Sequence, residues 1–450
     1  MNASSLDRTF RKDVAALVIP LVGNSFSLVN TLMVGRLGDA AIAVVAAAGQ
    51  VGFMLSMILS GVYGMNAFIT QYDGGRDQAS VRKAFGLMLL SGTAVTLTLV
   101  AAAFLFRKPL LLAFVHDPDA AAYGMPYLTV LLAVYAVNAV KDAYGGALGA
   151  IGRAKLTLVV GFAAMAVNVA LDYALIYGHF GFEPLGIVGA AWSTLVSSIV
   201  GAAAFVGWVY ARKLPFNVSP REILAVDFAF AKRVYAKTLP LVFHEGLWSL
   251  GNMLYAAAFG YMGVSALAAF QLARTFNGYF MMGVFGFAYA ANVMIGRKLG
   301  QENAGEAIRY ARTFTKWTVL IALAVGAASA AASPWIVRLF GRASAEVRTD
   351  FEHILFIQSG VMLAYFLNNL WIVGLFRAGG DNAYTMKLIL VTTWLIALPL
   401  VFAGACLLHW PVELVYIMFA LEEVSKACIG YFRYRSNRWA NSLVRPGLSS

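Results

Sequence analysis

The chain has 450 residues, 60% of them hydrophobic and only 12% charged. Soluble globular domains carry about 25% charged residues, so this composition excludes a water-soluble fold and places the chain in lipid. Its 34 basic and 22 acidic residues give a net charge of +12, but the basic residues sit in short polar segments between apolar runs, which excludes a nucleic-acid-binding patch.

A bilayer-crossing helix needs about 20 apolar residues. Runs of that kind fall near 14–35, 40–70, 84–106, 121–148, 156–178 and 186–210, and again near 238–260, 264–296, 316–337, 354–376, 387–408 and 412–432. The expected fold is an all-α integral membrane protein with twelve transmembrane helices. Arg8, Arg11 and Lys12 followed by an apolar run mimic a signal peptide, but no small-residue cleavage site follows, so the run reads as an uncleaved first span. The polar segment Ala211–Lys237, with Pro215 and Pro220, is the longest break between spans. The expected organisation is therefore an N-terminus over 1–12, a first half over 13–210, a linker over 211–237, a second half over 238–432 and a tail over 433–450.

Six basic residues lie in segments of one polarity (Arg36, Arg107, Lys108, Arg338, Arg342 and Arg348) and three lie within spans (Lys141, Arg274 and Lys426). The other 25 of the 34 lie in segments of opposite polarity, which include both termini and the linker. The positive-inside rule then makes those segments cytoplasmic, with both termini on that side of a cell (plasma or inner) membrane.

The two halves repeat one another. Gly35-Arg36-Leu37-Gly38-Asp39 after the first span is echoed by Gly260-Tyr261-Met262-Gly263-Val264 after the seventh. Leu148-Gly149-Ala150-Ile151-Gly152-Arg153 after the fourth is echoed by Phe376-Arg377-Ala378-Gly379-Gly380-Asp381 after the tenth. Six spans per half give both halves the same orientation, and duplicated chains of this kind keep a central pathway.

Ionisable residues inside spans mark function by default, because a charge at mid-bilayer costs on the order of 3 kcal/mol or more. Asn168 and Asp172, four residues apart in the fifth span, share one helical face and could hold a proton, Na⁺ or a cationic substrate; the plainer role is a hydrogen bond that fixes helix rotation. Glu245 opens the seventh span, with His244 beside it about 100° around the helix as a structural hydrogen-bond partner. Trp248 and Tyr255 follow on roughly the face of Glu245 and are candidates for lining a cavity. In the twelfth span Glu422 and Lys426 are spaced for a helical ion pair, which leaves Glu423 to face a different neighbour or the pathway. Lys141 and Asp142 form another local pair, and Arg274 needs an acidic or carbonyl partner that the sequence does not identify.

The two cysteines, Cys406 and Cys428, lie in apolar runs and make neither a disulfide framework nor a C-x-x-C site. Five histidines (His116, His179, His244, His353 and His409) lack ligand spacing. No nucleophile–base set stands out, so neither an enzyme nor a cofactor is expected.

The fragments Val34-Gly35-Arg36-Leu37-Gly38, Gln71 with Gly74-Gly75, Leu185-Gly186-Ile187-Val188-Gly189-Ala190-Ala191, Ala266-Leu267-Ala268-Ala269 and Arg377-Ala378-Gly379-Gly380-Asp381 occur in this order within a twelve-span frame. In this the chain resembles the multidrug and toxic compound extrusion (MATE) transporters over essentially its whole length. The resemblance implies two pseudo-symmetric six-helix lobes, alternating access, and cation (H⁺ or Na⁺)-coupled antiport that exports organic cations or drugs. It implies a monomer in the lipid bilayer, without nucleic acid or any cofactor beyond the coupling ion. Carried over residue by residue, the N-lobe cation site falls on Asn30, Asn168, Asp172 and Thr194, with Asp172 and Asn168 the ligands of any Na⁺, and the C-lobe carboxylate falls on Glu245. Asn30 departs from the family's acid. The tenth-span acid of some members is missing near Phe366, where Asn368 and Asn369 lie close by, and Asn369 is a further candidate cavity-lining residue. A flippase or exporter of a lipid-linked or polar metabolite in the same broad superfamily is the alternative, but it would need a strongly basic cavity.

Overall fold

The computed structural model describes residue 37 and residues 39–112, 118–219, 221–222, 227–338 and 344–444, all helices and connecting turns, with no strand among them. The expected first span over 14–35, which carries Asn30, lies outside the described residues. The chain forms two compact units, Met1–Ala236 and Lys237–Ser450.

In the first unit α1 (Asp39–Val62) passes through a tight 3₁₀ turn into α2 (Asn66–Gly74), followed by α3 (Gln78–Leu105), the short α4 (Arg107–Leu112), α5 (Pro118–Ala150), α6 (Ala154–Tyr177) and α7 (Ile187–Ala211). Among the described residues of this unit five helical stretches are long and apolar enough to cross a membrane: Ala47–Gly74, Gln78–Leu105, Ala122–Ala150, Ala154–Tyr177 and Ile187–Ala211. Apolar side chains do not drive helices together in lipid, so the helices meet where small residues let backbones approach. Gly189 of α7 is such a point: a Cβ there would lie 2.6 Å from the Leu175 carbonyl oxygen of α6. The turn between these helices is equally tight. α6 stops at Gly178 in the left-handed region (φ 76°), and Leu185 N–H donates back to Leu175 O at 2.8 Å. This close crossing brings the Asn168–Asp172 face of α6 onto α7.

In the second unit α8 (Phe228–Tyr261), α9 (Val264–Gly300), α10 (Ala304–Arg338), α11 (Ala345–Asn369), α12 (Asn382–Ile389), α13 (Leu398–Phe402) and α14 (Val412–Arg435) follow in order. Wider π-helical turns continue α11 over Leu370–Phe376 and link the later short helices over Leu390–Ala397 and Ala403–Leu407. Among the described residues of this unit four stretches are long and apolar enough to span: Val264–Gly300, Ala304–Arg338, Ala345–Phe376 and Asn382–Leu407. The expected seventh and twelfth spans are helical too, as α8 and α14. Their charged residues, Glu245 in one and Glu422, Glu423 and Lys426 in the other, make them less apolar than the rest. α8 also begins ten residues earlier than position 238, because Asp227 caps it by accepting from Phe230 N–H at 3.4 Å. The last part of the expected linker is therefore helix.

Each unit closes with a segment that folds back after its last long helix. Beyond α7, Leu214, Phe216 and Val218 are buried; the Phe216 ring lies 5.0 Å from Phe85, and Tyr210 Oη donates to Val218 O at 2.9 Å. Ser219 and Glu222 then form a capping box, Ser219 N–H donating to Glu222 Oε2 at 2.6 Å and Glu222 N–H to Ser219 Oγ at 3.3 Å. These bonds, with Arg82 at 3.2 Å, hold the Glu222 carboxyl below the usual range. Beyond α14, Trp439 is fully buried against the Arg377–Asp381 loop, and Arg433 grips Asp381 through two bonds of 2.7 and 2.9 Å.

The loop accepts Trp439 because Gly379 has no side chain. A Cβ there would collide with the Trp439 carbonyl oxygen. Gly379→Ala is expected to weaken the docking of the tail by about 1–3 kcal/mol, the range for overpacking a close contact. Trypsin cleavage after the exposed Arg438 should then run at least about fivefold faster than in the unaltered protein, and an unchanged rate would count against this packing.

Candidate cation and substrate sites

In the first unit the polar face of α6 meets α7. Asp172 is fully buried and Asn168 is 1% exposed. With its amide oriented to satisfy both ends, Asn168 donates to Asp172 Oδ2 at 2.9 Å and accepts from Thr194 N–H at 3.2 Å. Thr194 Oγ1 donates to Ala190 O at 2.9 Å. The structure thus brings Asn168, Asp172 and Thr194 together. With the amide reversed, its oxygen faces the carboxylate and its Nδ2 donates to Thr194 Oγ1 at 3.4 Å, so Asn168 can offer Asp172 either an N–H donor or an oxygen.

Two residues not singled out in the sequence join the site. Ser193 lies beside the carboxylate, although its hydroxyl is engaged with Gly189 O at 2.8 Å, and Tyr127 of α5 lies within electrostatic reach. Among the described residues Asp172 Oδ1 has no hydrogen-bond partner. No lysine or arginine among the described residues is within ion-pair distance of Asp172. The carboxylate is therefore buried with one oxygen open and no compensating cation. Farther along α5, Lys141 and Asp142 are 3.8 Å apart, with the Asp142 side chain half-exposed, a loose pair rather than a tight one.

The second unit differs in kind, because its acids are compensated. Glu245 of α8, 7% exposed, meets Arg377 Nη2 at 2.5 Å. Arg377 stands at the end of the π-helical turns that continue α11, and nothing in the sequence marks it as the partner of a residue 132 positions earlier. Lys426 of α14 contacts Glu422 Oε1 at 2.5 Å and Glu423 Oε1 at 2.9 Å. Glu422 further accepts from Tyr255 Oη and from Thr393 Oγ1 (2.7 Å), and Glu423 accepts from Asn368 Nδ2 (2.8 Å). So Glu423, expected to face elsewhere, shares the lysine of Glu422.

Tyr255, a candidate for a cavity wall, is instead 1% exposed, bound to Glu422 and packed edge-on against Phe419 at 4.8 Å. Its hydroxyl gives a buried carboxylate a donor, and that bond draws it into the core. His244 is also buried, and among the described residues its Nδ1 has no partner. Trp248 is partly buried, its carbonyl accepting from Asn252 Nδ2 at 2.8 Å, and Asn369 is buried with Oδ1 unpartnered. Among the described residues no group of three or more His, Cys, Asp or Glu side chains is placed to hold a metal ion.

Comparison with known proteins gives consistent findings. The family model described as MatE matches residues 16–174 and 240–403. An uncharacterised transporter, YisQ of Bacillus subtilis, is 21% identical over 415 residues, covering 91% of this chain and 90% of its own. A probable multidrug resistance protein, NorM of Rhizobium meliloti, is 30% identical over 301 residues, 63% of this chain and 62% of its own. Among solved structures, a mutant of the Vibrio cholerae MATE transporter VcmN superposes with a TM-score of 0.87 at 20% identity, over 98% of each chain.

Proposed function

The chain belongs to the MatE family of multi-pass membrane transporters, and from that premise we propose that it is an antiporter that exports organic cations, such as aromatic drugs, in exchange for an entering cation. The relatives named as multidrug resistance proteins support export of drugs, and the site supports the coupling. One observation carries the proposal: Asp172 is buried within a membrane-spanning helix, with an open oxygen and no counter-charge among the described residues. An ionised carboxylate is not left so in lipid unless a cation visits it.

In this reading an entering cation binds Asp172 in the outward-open state and neutralises it. The attraction for a cationic substrate is then lost, and the substrate leaves outward. The return swing releases the ion to the cytoplasm, and coupling requires only that the two ligands favour different conformations. A proton suits the arrangement better than Na⁺. Na⁺ needs several converging oxygens, whereas the Ser193 hydroxyl beside Asp172 is turned to Gly189 O. Glu245 holds Arg377 as its resting counter-ion and exchanges it for the cationic group of a substrate. Lys426 is already held by Glu422 and Glu423, which disfavours a phosphate-bearing lipid substrate at that position. The positive-inside count supports both termini lying in the cytoplasm of the cell that exports.

Purified protein in liposomes, given pH and Na⁺ gradients separately, tests the scheme with the cationic dye rhodamine 123 as substrate. Dye movement driven by the pH gradient without Na⁺ is the expected result. Movement under a Na⁺ gradient alone would transfer the role to Na⁺, and no movement under either would end the antiport reading.

A further inference from the structure

Outside the cation sites, the end of α2 and the first turns of α8 bring together two donors that lack acceptors. Tyr72 of α2 is 2% exposed, and its ring stacks on Phe230 of α8 at 6.1 Å. Its hydroxyl is buried and, among the described residues, has no hydrogen-bond partner. Arg233, one turn on from Phe230, holds its guanidinium 5.5 Å from the centre of that ring and within electrostatic reach of Tyr72. The Arg233 Nε is buried and likewise without a partner, and among the described residues no carboxylate is within ion-pair distance of this arginine. Asp77, the acid within electrostatic reach of Tyr72, caps α3 by accepting from Ser80 N–H at 3.0 Å.

A buried donor without an acceptor is a cost to the fold, and here a phenol and a guanidinium share that cost at one place. What they lack is an anionic acceptor, and an arginine fork matches the paired oxygens of a phosphate. The position in the chain says where such a phosphate would come from. The membrane-crossing stretch Ala47–Gly74 ends two residues after Tyr72, and the stretch Gln78–Leu105 begins just beyond, so the two donors lie at the level of the headgroups. Arg76 and Lys232, both exposed, add positive charge on either side. Phe228, 80% exposed and one turn before Lys232, offers an apolar ring to the acyl chains. Basic side chains with an exposed aromatic at a span end form an interfacial contact for anionic lipid.

We infer that Tyr72 and Arg233 form a binding site for the phosphate of an anionic phospholipid headgroup, with Arg76 and Lys232 as its charged rim. Arg233 grips the non-bridging oxygens, and the Tyr72 hydroxyl donates to one of them. The rim selects a lipid of net negative charge over a zwitterionic one, whose own ammonium it repels. The site is separate from the export pathway and does not depend on the identity of the substrate. A lipid held there fixes the start of α8, the helix that carries Glu245.

Purified full chain in detergent is titrated with dioleoylphosphatidylglycerol or dioleoylphosphatidylcholine, and bound lipid is counted by native mass spectrometry alongside thermal unfolding of every variant. The unaltered protein should bind phosphatidylglycerol about tenfold more tightly than phosphatidylcholine, and equal binding of the two would overturn the site without any variant having to fold. Arg233→Gln should weaken phosphatidylglycerol by about tenfold, and Tyr72→Phe, which keeps the ring and removes only the hydroxyl, by about threefold. Without lipid, Tyr72→Phe should unfold no earlier than the unaltered protein, because the hydroxyl it lacks had no partner. Lys155→Gln removes an exposed charge at the start of α6 and should change binding by less than about twofold. A loss in Lys155→Gln as large as that in Arg233→Gln would assign the binding to the diffuse positive field and overturn the site. Millimolar inorganic phosphate that raises the thermal midpoint as far as phosphatidylglycerol does, without lipid, would give the site to soluble anions and overturn the lipid assignment.

Discussion

Asp172→Asn is expected to abolish ion-coupled transport while leaving the protein folded. The substitution keeps the shape of the side chain and a hydrogen-bonding oxygen, but it removes the charge that a proton or Na⁺ would neutralise. Coupling between two ligands is typically worth 1–3 kcal/mol, a factor of about 5–150, so substrate-driven ion flux in liposomes should fall by that order. The thermal midpoint should stay level or rise, because a carboxylate buried with an open oxygen and no counter-ion is itself a cost to the fold. Asp142→Asn provides the control. That residue is half-exposed and already beside Lys141, and its loss should change flux by less than about twofold. Undiminished flux in Asp172→Asn would sink the scheme.

Lys426→Met is expected to give the largest loss of stability among single changes in the second unit. Its side chain is 6% exposed and its ammonium sits between Glu422 and Glu423, one turn back on the same helix, so its removal strands two buried carboxylates without their cation. Breaking a buried ion pair from one side costs about 3–5 kcal/mol. The midpoint of thermal unfolding in detergent should fall accordingly. Adding Glu422→Gln and Glu423→Gln to the same chain should recover most of the fall, because the amides no longer need a counter-charge. An unchanged midpoint in the single variant would show that the three charges do not depend on one another.

The helical architecture was legible because lipid imposes a simple rule: uninterrupted apolar runs of sufficient length have little else to become. The two expected spans with the weakest apolar signal, α8 and α14, both carry buried charges, whereas α6 holds the buried Asp172 and is still among the clearly apolar stretches. The Asn168–Asp172 pair was legible from its i,i+4 spacing, since both residues belong to one helix. The pairing of Glu422 with Lys426 was legible for the same reason. The long-range partners were not. Glu245 with Arg377, Tyr255 with Glu422 and Asn368 with Glu423 join residues 132, 167 and 55 positions apart, and no periodicity within one element encodes a contact across three helices. Nor does spacing reveal which way an amide turns, and on that the choice between a proton and Na⁺ at Asp172 depends.

Gly379 gives the tail a leverage that its position in the chain conceals. Trp439 rests on Gly379, and two residues earlier the same loop presents Arg377, the cation that holds Glu245. One five-residue loop therefore carries both the seat of the Trp439 backbone, at Gly379, and the cation of an intramembrane ion pair, at Arg377. Truncations, fusions or proteolytic nicks near residue 439 should accordingly be read as perturbations of the Glu245 site, even though no altered residue lies near the carboxylate in sequence.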